Sequence, residues 1–401
     1  MTEKIAKAIV IGLFFLNIGY GENQKAVSSP KGWVRRVIHQ PDNPPPYTNY
    51  SPGEIVIGDA RNDGINRLYC ANLNNDLVEY TWTGTEWVKT TIFSGTKFEG
   101  VVIGKARATD NLNRIYCYKN LGITGIKKLY EISYENGNWT MQEIPLPMIP
   151  SGHFVTSIII GDGRNDGVNR LYISTSQFKT YEFRYNGNEW VLESIVSDHI
   201  EIYSLGDGRG NRVNRFYGVT DVDSLFEITY SNGVWEENLI GINPNPDENG
   251  LEGFLCEPLL FDFGDIGPMV IAKGGYDDIL YAFKYNTKTR IWEVTPMHSD
   301  ANSYAYGFAN CDVMEDPRSP LFKKNLYVPA VPEETGQHGD TIYIHEFSYD
   351  LRRKTWTRNV ISYISVTPGP QLSCVKCGNI RGKVCIYAIC VDGTIVEISY
   401  E

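Results

Sequence analysis

The chain has 401 residues and a formal net charge of −11, and aromatic residues make up 12% of it. That length suits one large all-β domain or two average domains. The acidic balance and the lack of any basic stripe exclude a nucleic-acid role, which depends on clustered Lys and Arg.

In chain order, residues 1–21 read as a secretory signal. Lys4 and Lys7 form a positive n-region, residues 8–16 are an apolar run too short to span a bilayer, and Gly19 and Gly21 are the small residues ahead of a cut after Gly21. The expected location is secreted, extracellular or periplasmic, with no membrane association after cleavage. Residues 22–52 hold a strand at 33–38 and a proline-rich linker at 41–52, which cannot continue that strand.

Residues 53–401 are built on a repeat. The stretch GDGRNDGVNRLY at 161–172 returns as GDARNDGINRLY at 58–69 and as GDGRGNRVNRFY at 206–217. A looser copy, GKARATDNLNRIY, covers 104–116. Each copy is followed by an apolar strand with paired aromatics, a polar turn, a Trp and a return to Ile. The first unit predicts strands at 55–58, 67–71, 77–82 and 87–92. Further units follow at 100–144, 155–195 and 200–240.

Three later units lose the GDxR turn but keep the strand order. The fifth predicts strands at 259–263, 269–272, 279–285 and 290–294. The sixth predicts strands at 304–309, 325–330, 341–349 and 355–361. The seventh has 371–376, 384–391 and 394–400 and lacks a fourth strand, which the strand at 33–38 supplies. The expected fold is therefore an all-β, seven-bladed β-propeller closed by an N-terminal strand that completes the last blade. Irregular loops at 119–128, 241–257 and 331–340 all fall on the face opposite the GDxR turns.

The GDxR turns resemble FG-GAP or VCBS repeats, whose loops hold calcium through alternating acidic residues. The segments KYNTKTRIW at 284–292 and SYDLRRKTW at 348–356 are similar to kelch repeats. Both resemblances imply a propeller, and neither brings a catalytic residue. In this chain Asp162, Asp166 and Gly167 fit the calcium loop, but Arg164 and Arg170 stand where oxygen ligands belong. Calcium takes six or more oxygens. We therefore expect no metal and no cofactor. Arg170 is expected to bridge Asp162 and Asp166 as a structural clip, with Asp59, Asp63 and Arg67 doing the same in the first unit and Asp207 and Arg215 in the fourth.

The recurring Trp87, Trp139, Trp190, Trp235, Trp292 and Trp356 are expected to pack between blades, since every blade must bury the same face. Cys374, Cys377, Cys385 and Cys390 cluster in the last unit. A Cys377–Cys385 disulfide and buried free thiols are both open readings of them.

No phosphate loop, nucleotide fingerprint or nucleophile motif occurs. The candidate ligand-binding rim ahead of the inner strands is Lys97, His153, His199, Glu257, Asp300 and Gln371, with Tyr304 and His298 nearby. The expected function is a monomeric binding protein that recognises a glycan or an extracellular protein. The alternative is a carbohydrate-active lyase or hydrolase with its acid and base among His153, His199, Glu257 and Asp300.

Overall fold

Short strands with β-branched and aromatic residues, punctuated by Gly, Asn and Asp turns, have only one way to bury their apolar faces: as twisted antiparallel sheets stacked face to face. The computed structural model describes residues 32–40, 54–73, 75–120, 127–220, 224–242, 244, 255–274, 279–298, 304–306, 311–319, 323–332, 341–365, 372–390 and 393–401. These form seven antiparallel sheets, six with four strands and one with five. In blade 3 the strands are Val155–Gly161, Arg170–Thr175, Lys179–Tyr185 and Trp190–Ser197, each paired with its successor. Blades 1, 2, 4 and 5 repeat this meander.

The first strands of consecutive blades touch one another in a closed cycle, from Ile55–Gly58 in blade 1 round to Leu372–Asn379 in blade 7 and back. They therefore form the inner wall of a ring. Blade 6 departs from the regular plan. Its first strand was expected at 304–309, but Tyr304–Tyr306 and Asp312–Glu315 are separate strands that both pair with Lys324–Pro332. The expected loops at 119–128, 241–257 and 331–340 fall largely outside the described residues, as do residues 1–31.

In blade 7, Trp33–His39 lies antiparallel to Ile395–Tyr400, with Trp33 opposite Tyr400. This is the register of Trp190 opposite Tyr185 in blade 3. The N-terminal strand thus occupies the fourth position of the last blade, the pairing that the closure reading requires.

One aromatic contact recurs at the seams between blades. A Tyr of the second strand meets the fourth-strand Trp of the next blade edge-to-face. The pairs are Tyr69–Trp139 at 6.3 Å, Tyr116–Trp190 at 5.9 Å, Tyr172–Trp235 at 6.5 Å and Tyr217–Trp292 at 5.9 Å between centroids. Tyr327–Trp33 and Tyr387–Trp87, both at 6.0 Å, continue the series. At the seam between blades 5 and 6, Phe263 from a turn meets Trp356 at 5.5 Å instead. Edge-to-face pairs of this kind add about 0.5–1.5 kcal/mol beyond the area they bury. The tryptophans are therefore elements of the core rather than an exposed stacking platform.

Candidate functional site

Two polar layers sit at opposite ends of the ring. The first is at the GDxR turns. Asp162 accepts the backbone N–H of Asp166 at 3.0 Å and of Gly167 at 2.7 Å, and so ties the turn shut. Gly167 has φ of +80°, a conformation that favours glycine. A Cβ on Gly163 would lie 2.5 Å from the Phe216 ring, so only glycine lets the turn lie on the next blade. Arg170 donates to both carboxylate oxygens of Asp166, each at 2.8 Å. The expected bridge from Arg170 to both aspartates does not form, because the Asp162 oxygens are taken by backbone amides. In blade 1, Arg67 holds Asp63 at 2.8 and 2.6 Å while Asp59 caps the turn. In blade 4 the partner of Arg215 is Asn211 at 2.9 Å, with Asp207 only at 3.9 Å.

The sequence reading missed the other half of this layer. The first motif arginine reaches a glutamate in the middle of the third strand. Arg61 grips Glu79, Arg107 grips Glu131, Arg164 grips Glu182 and Arg209 grips Glu227, each through two guanidinium nitrogens. Arg318 holds Glu346 and Arg381 holds Glu397, each at 2.6 Å. All six glutamates are buried. The second motif arginine sits behind each carboxylate in the first four blades, as Arg170 does with its Nε 3.3 Å from Glu182. A buried carboxylate needs such partners, since an isolated one costs several kcal/mol to desolvate. The repeated signal was available as an acidic residue inside the apolar third strand of every blade but the fifth.

The second layer lies at the other mouth of the ring, where the inner strands begin. Glu54 of blade 1 accepts the Val101 N–H at 2.7 Å, and burial raises its carboxyl pKa above the usual range against the opposing pull of Lys376. Asp312 of blade 6 accepts the N–H groups of Cys377 and Val313, both at 2.8 Å, and burial raises its pKa also. Lys376 of blade 7 feels both carboxylates. Burial alone would lower its pKa, but Cys374, Asp312 and Glu54 more than reverse this, so it stays an ammonium group.

The circuit continues through blades 5 and 4. Glu257 bears on Cys311 on one side and on Tyr203 on the other. Glu201 has a raised pKa, again through burial, with the Thr156 and Tyr203 hydroxyls beside it. Tyr118 of blade 2, its hydroxyl donating to the Thr156 carbonyl at 3.3 Å, feels both Glu201 and Glu54. Four carboxyl groups and one lysine thus circle the mouth. Glu257 has φ of +49° and lies where the pairing of blade 5's first two strands is irregular, between Cys256 and Leu259. Non-glycine residues held in this conformation gather at functional sites.

No protein-family model matches the chain, and neither does any curated protein sequence. Solved structures do. BBS1N in complex with ARL6DN aligns over 88% of this chain and 93% of that one, at 14% identity and a TM-score of 0.52. The N-terminal domain of Nup159 aligns over 93% and 97%, at 10% identity and a TM-score of 0.53. The chain has the seven-bladed β-propeller fold.

The propeller disperses the rim residues that the sequence grouped. Glu257 joins the belt of charge. His199 instead points outward: its Nε2 is 3.2 Å from Glu237 on the fourth strand of blade 4, and its Nδ1 is 3.1 Å from Asp198. His153 lies at the second-to-third strand turn of its own blade, with Nδ1 3.4 Å from the Ser176 hydroxyl. Lys97 adopts φ of +53° and donates its backbone N–H to Asn75. Asp300 and Gln371 lie outside the described residues, and of Tyr304 only the strand placement is described. Among the described residues no cluster of three His, Cys, Asp or Glu side chains is arranged to hold a metal.

The described cysteines are all thiols. The Cys377–Cys385 disulfide does not form, and register gives the reason. Cys377 pairs with Ile386 while Cys385 pairs with Gly378, so the two side chains leave opposite faces of the sheet. Cys374 and Cys377, three residues apart on one strand, diverge in the same way.

Proposed function

We propose that this propeller is a protein-binding module that receives a basic segment of its partner at the mouth ringed by Glu54, Glu201, Glu257, Asp312 and Lys376. The observation that carries this reading is the set of carboxyl groups where inner strands begin, Glu54 accepting the Val101 N–H and Asp312 the Cys377 N–H, with Glu257 held in a left-handed conformation on the wall. Carboxylates with low-dielectric walls draw in cationic side chains and set their register more than their raw affinity. The complex of BBS1N with ARL6DN adds support, because there a propeller of the same architecture engages a protein.

Three finer readings belong to the proposal. The strand at Trp33–His39 closes the ring. The FG-GAP and kelch likenesses reflect strand order and turn shape rather than a metal loop. Export rests on the pattern of residues 1–21 alone. A glycan ligand is the competing occupant of the same mouth. The test is native affinity purification with quantitative mass spectrometry, using wild type, a Glu201→Lys/Glu257→Lys variant and a Lys288→Glu control on an outer hairpin, with a glycan array in parallel. A protein recovered by wild type and control but lost with the mouth variant supports the reading. Recovery that is indifferent to the mouth charges, or saturable glycan binding, overturns it.

A further inference from the structure

Among the described residues, blade 5 alone lacks the arginine–glutamate pair of the GDxR face, and a cleft stands there. In blades 1 to 4 the first motif arginine lies over an aromatic ring of the following blade. Arg61 covers Tyr134 at 4.6 Å, Arg107 covers Tyr185 at 3.9 Å, Arg164 covers Tyr230 at 4.6 Å and Arg209 covers Tyr285 at 4.6 Å. Arg381 covers Trp82 at 4.4 Å where blade 7 meets blade 1. Each guanidinium therefore fills a groove between blades, with a buried glutamate at one end and an aromatic face beneath it.

Blade 5 has replaced every member of this group. By strand register, Met269 stands where Arg170 stands in blade 3, Ile271 replaces Tyr172 and Ala282 replaces Glu182. The turn between Asp262 and Pro268 contains neither Arg nor Lys. The ring that would receive its arginine is nevertheless present. Tyr349 pairs with Trp356 in blade 6 as Tyr285 pairs with Trp292 in blade 5. Tyr349 lines a cleft of about 510 Å³ together with Phe263, Asp265, Ile266, Asp350 and Leu351.

We infer that this cleft is a docking groove for an arginine side chain of a partner protein. The guanidinium stacks on Tyr349 as the chain's own arginines stack on Tyr134, Tyr185, Tyr230 and Tyr285. Ile266 and Leu351 line the path of the methylene stem. With Ala282 in place of the buried glutamate, the carboxylates come from the edge, from Asp265 and Asp350. Asp350 spends Oδ1 on the backbone N–H groups of Arg352 and Arg353, at 2.8 and 3.1 Å, while its Oδ2 is 3.9 Å from the exposed Arg353 side chain. Lys323 and Arg352 also border the cleft, so a bare cation gains little there. A planar guanidinium gains both the ring face and a forked hydrogen bond, which an ammonium cannot reproduce. This site lies on the opposite face from the charged mouth and does not depend on it.

The experiment is a titration of the folded protein, with ring-labelled tyrosines, by a short arginine peptide and its citrulline and lysine counterparts at millimolar concentration. The Tyr349 signal is identified by its loss in Tyr349→Leu. A saturable shift of that signal with the arginine peptide, at least about tenfold weaker with citrulline, supports the groove. Followed by calorimetry where the Tyr349 label is absent, binding should survive Tyr349→Phe, weaken in Asp350→Asn and be unchanged by Glu257→Gln at the mouth. Equal binding of the citrulline peptide, or no saturable shift at Tyr349, overturns it. If Tyr349→Leu fails to fold, charge dependence in Tyr349→Phe and Asp350→Asn decides the question.

Discussion

Arg61 and Glu79 are joined by two hydrogen bonds of 2.9 and 2.7 Å, although they lie in different parts of blade 1 and the glutamate is wholly buried. Removing the arginine leaves the carboxylate in a low-dielectric interior with the Thr81 hydroxyl at 3.1 Å and Arg67 behind it, its Nε 3.8 Å away. Arg61→Ala is expected to cost about 3–5 kcal/mol in urea unfolding. Adding Glu79→Ala to it should recover part of the loss, because the stranded charge is then gone. A double variant less stable than Arg61→Ala would show that the pair is not coupled in this way.

Acid titration separates the two layers by sign. Side-chain hydrogen bonds from Arg67 and Arg170 hold Asp63 and Asp166 at a pKa of about 2, below the roughly 3.9 of an unfolded aspartate. Their contribution is present above pH ~4 and is lost as pH falls toward 2. Each is partly exposed, so the effect is about 0–1 kcal/mol. Asp63→Asn and Asp166→Asn should flatten the stability profile only in that window.

Glu54 has the opposite sign. Burial raises its folded pKa, so its protonated form suits the fold and stability falls as pH rises through that value. Glu54→Gln should therefore stabilise the propeller at neutral pH and leave it unchanged near pH 4. An equal gain at both pH values would mean that the side chain acts through shape rather than charge.

Trp33 fills the fourth-strand position of blade 7 against Tyr327 and Tyr400, at 6.0 and 5.6 Å. Trp33→Ala should cost about 3–5 kcal/mol. Deleting residues 22–40 should expose the edge of Ile395–Tyr400 and cause aggregation. Light scattering of the purified deletion checks this, and a soluble product of wild-type stability would refute the closure.

Thiol chemistry gives a count. The chain has eight cysteines, and burial pushes Cys374 up to about 12 and Cys385 up to about 11. A thiol reagent at pH 8 should therefore react slowly with the native protein and titrate eight groups after denaturation. Fewer than eight in the denatured chain would reveal a bond that the fold does not contain.

The seven units and the fourth-strand Trp of each were legible because the same strand order recurs along the chain. The GDxR arginines were legible as recurring cations in the turn, but not as partners of Glu79, Glu131, Glu182 and Glu227. That pairing joins a turn to a strand eighteen or more residues on, and only the folded hairpin brings them together. The belt at the mouth was hidden for a different reason. Glu54 meets Lys376 only when the ring closes and Asp312 meets it across a blade seam, and local pattern carries no trace of either meeting. His199 was misdirected by its position before an inner strand, since its imidazole turns instead to Glu237 on an outer one.

The pairing of Trp33–His39 with Ile395–Tyr400 also orders events during synthesis. Blades 1 to 6 are made from contiguous segments and can form as the chain emerges, whereas the last sheet needs partners such as Arg36 and Glu397, 361 residues apart. Until residue 400 has left the ribosome, Trp33 and its neighbours have no sheet to join. A nascent chain of this protein therefore carries an unpartnered strand, with Trp33 unburied, through most of its elongation, a species of the kind that chaperones retain.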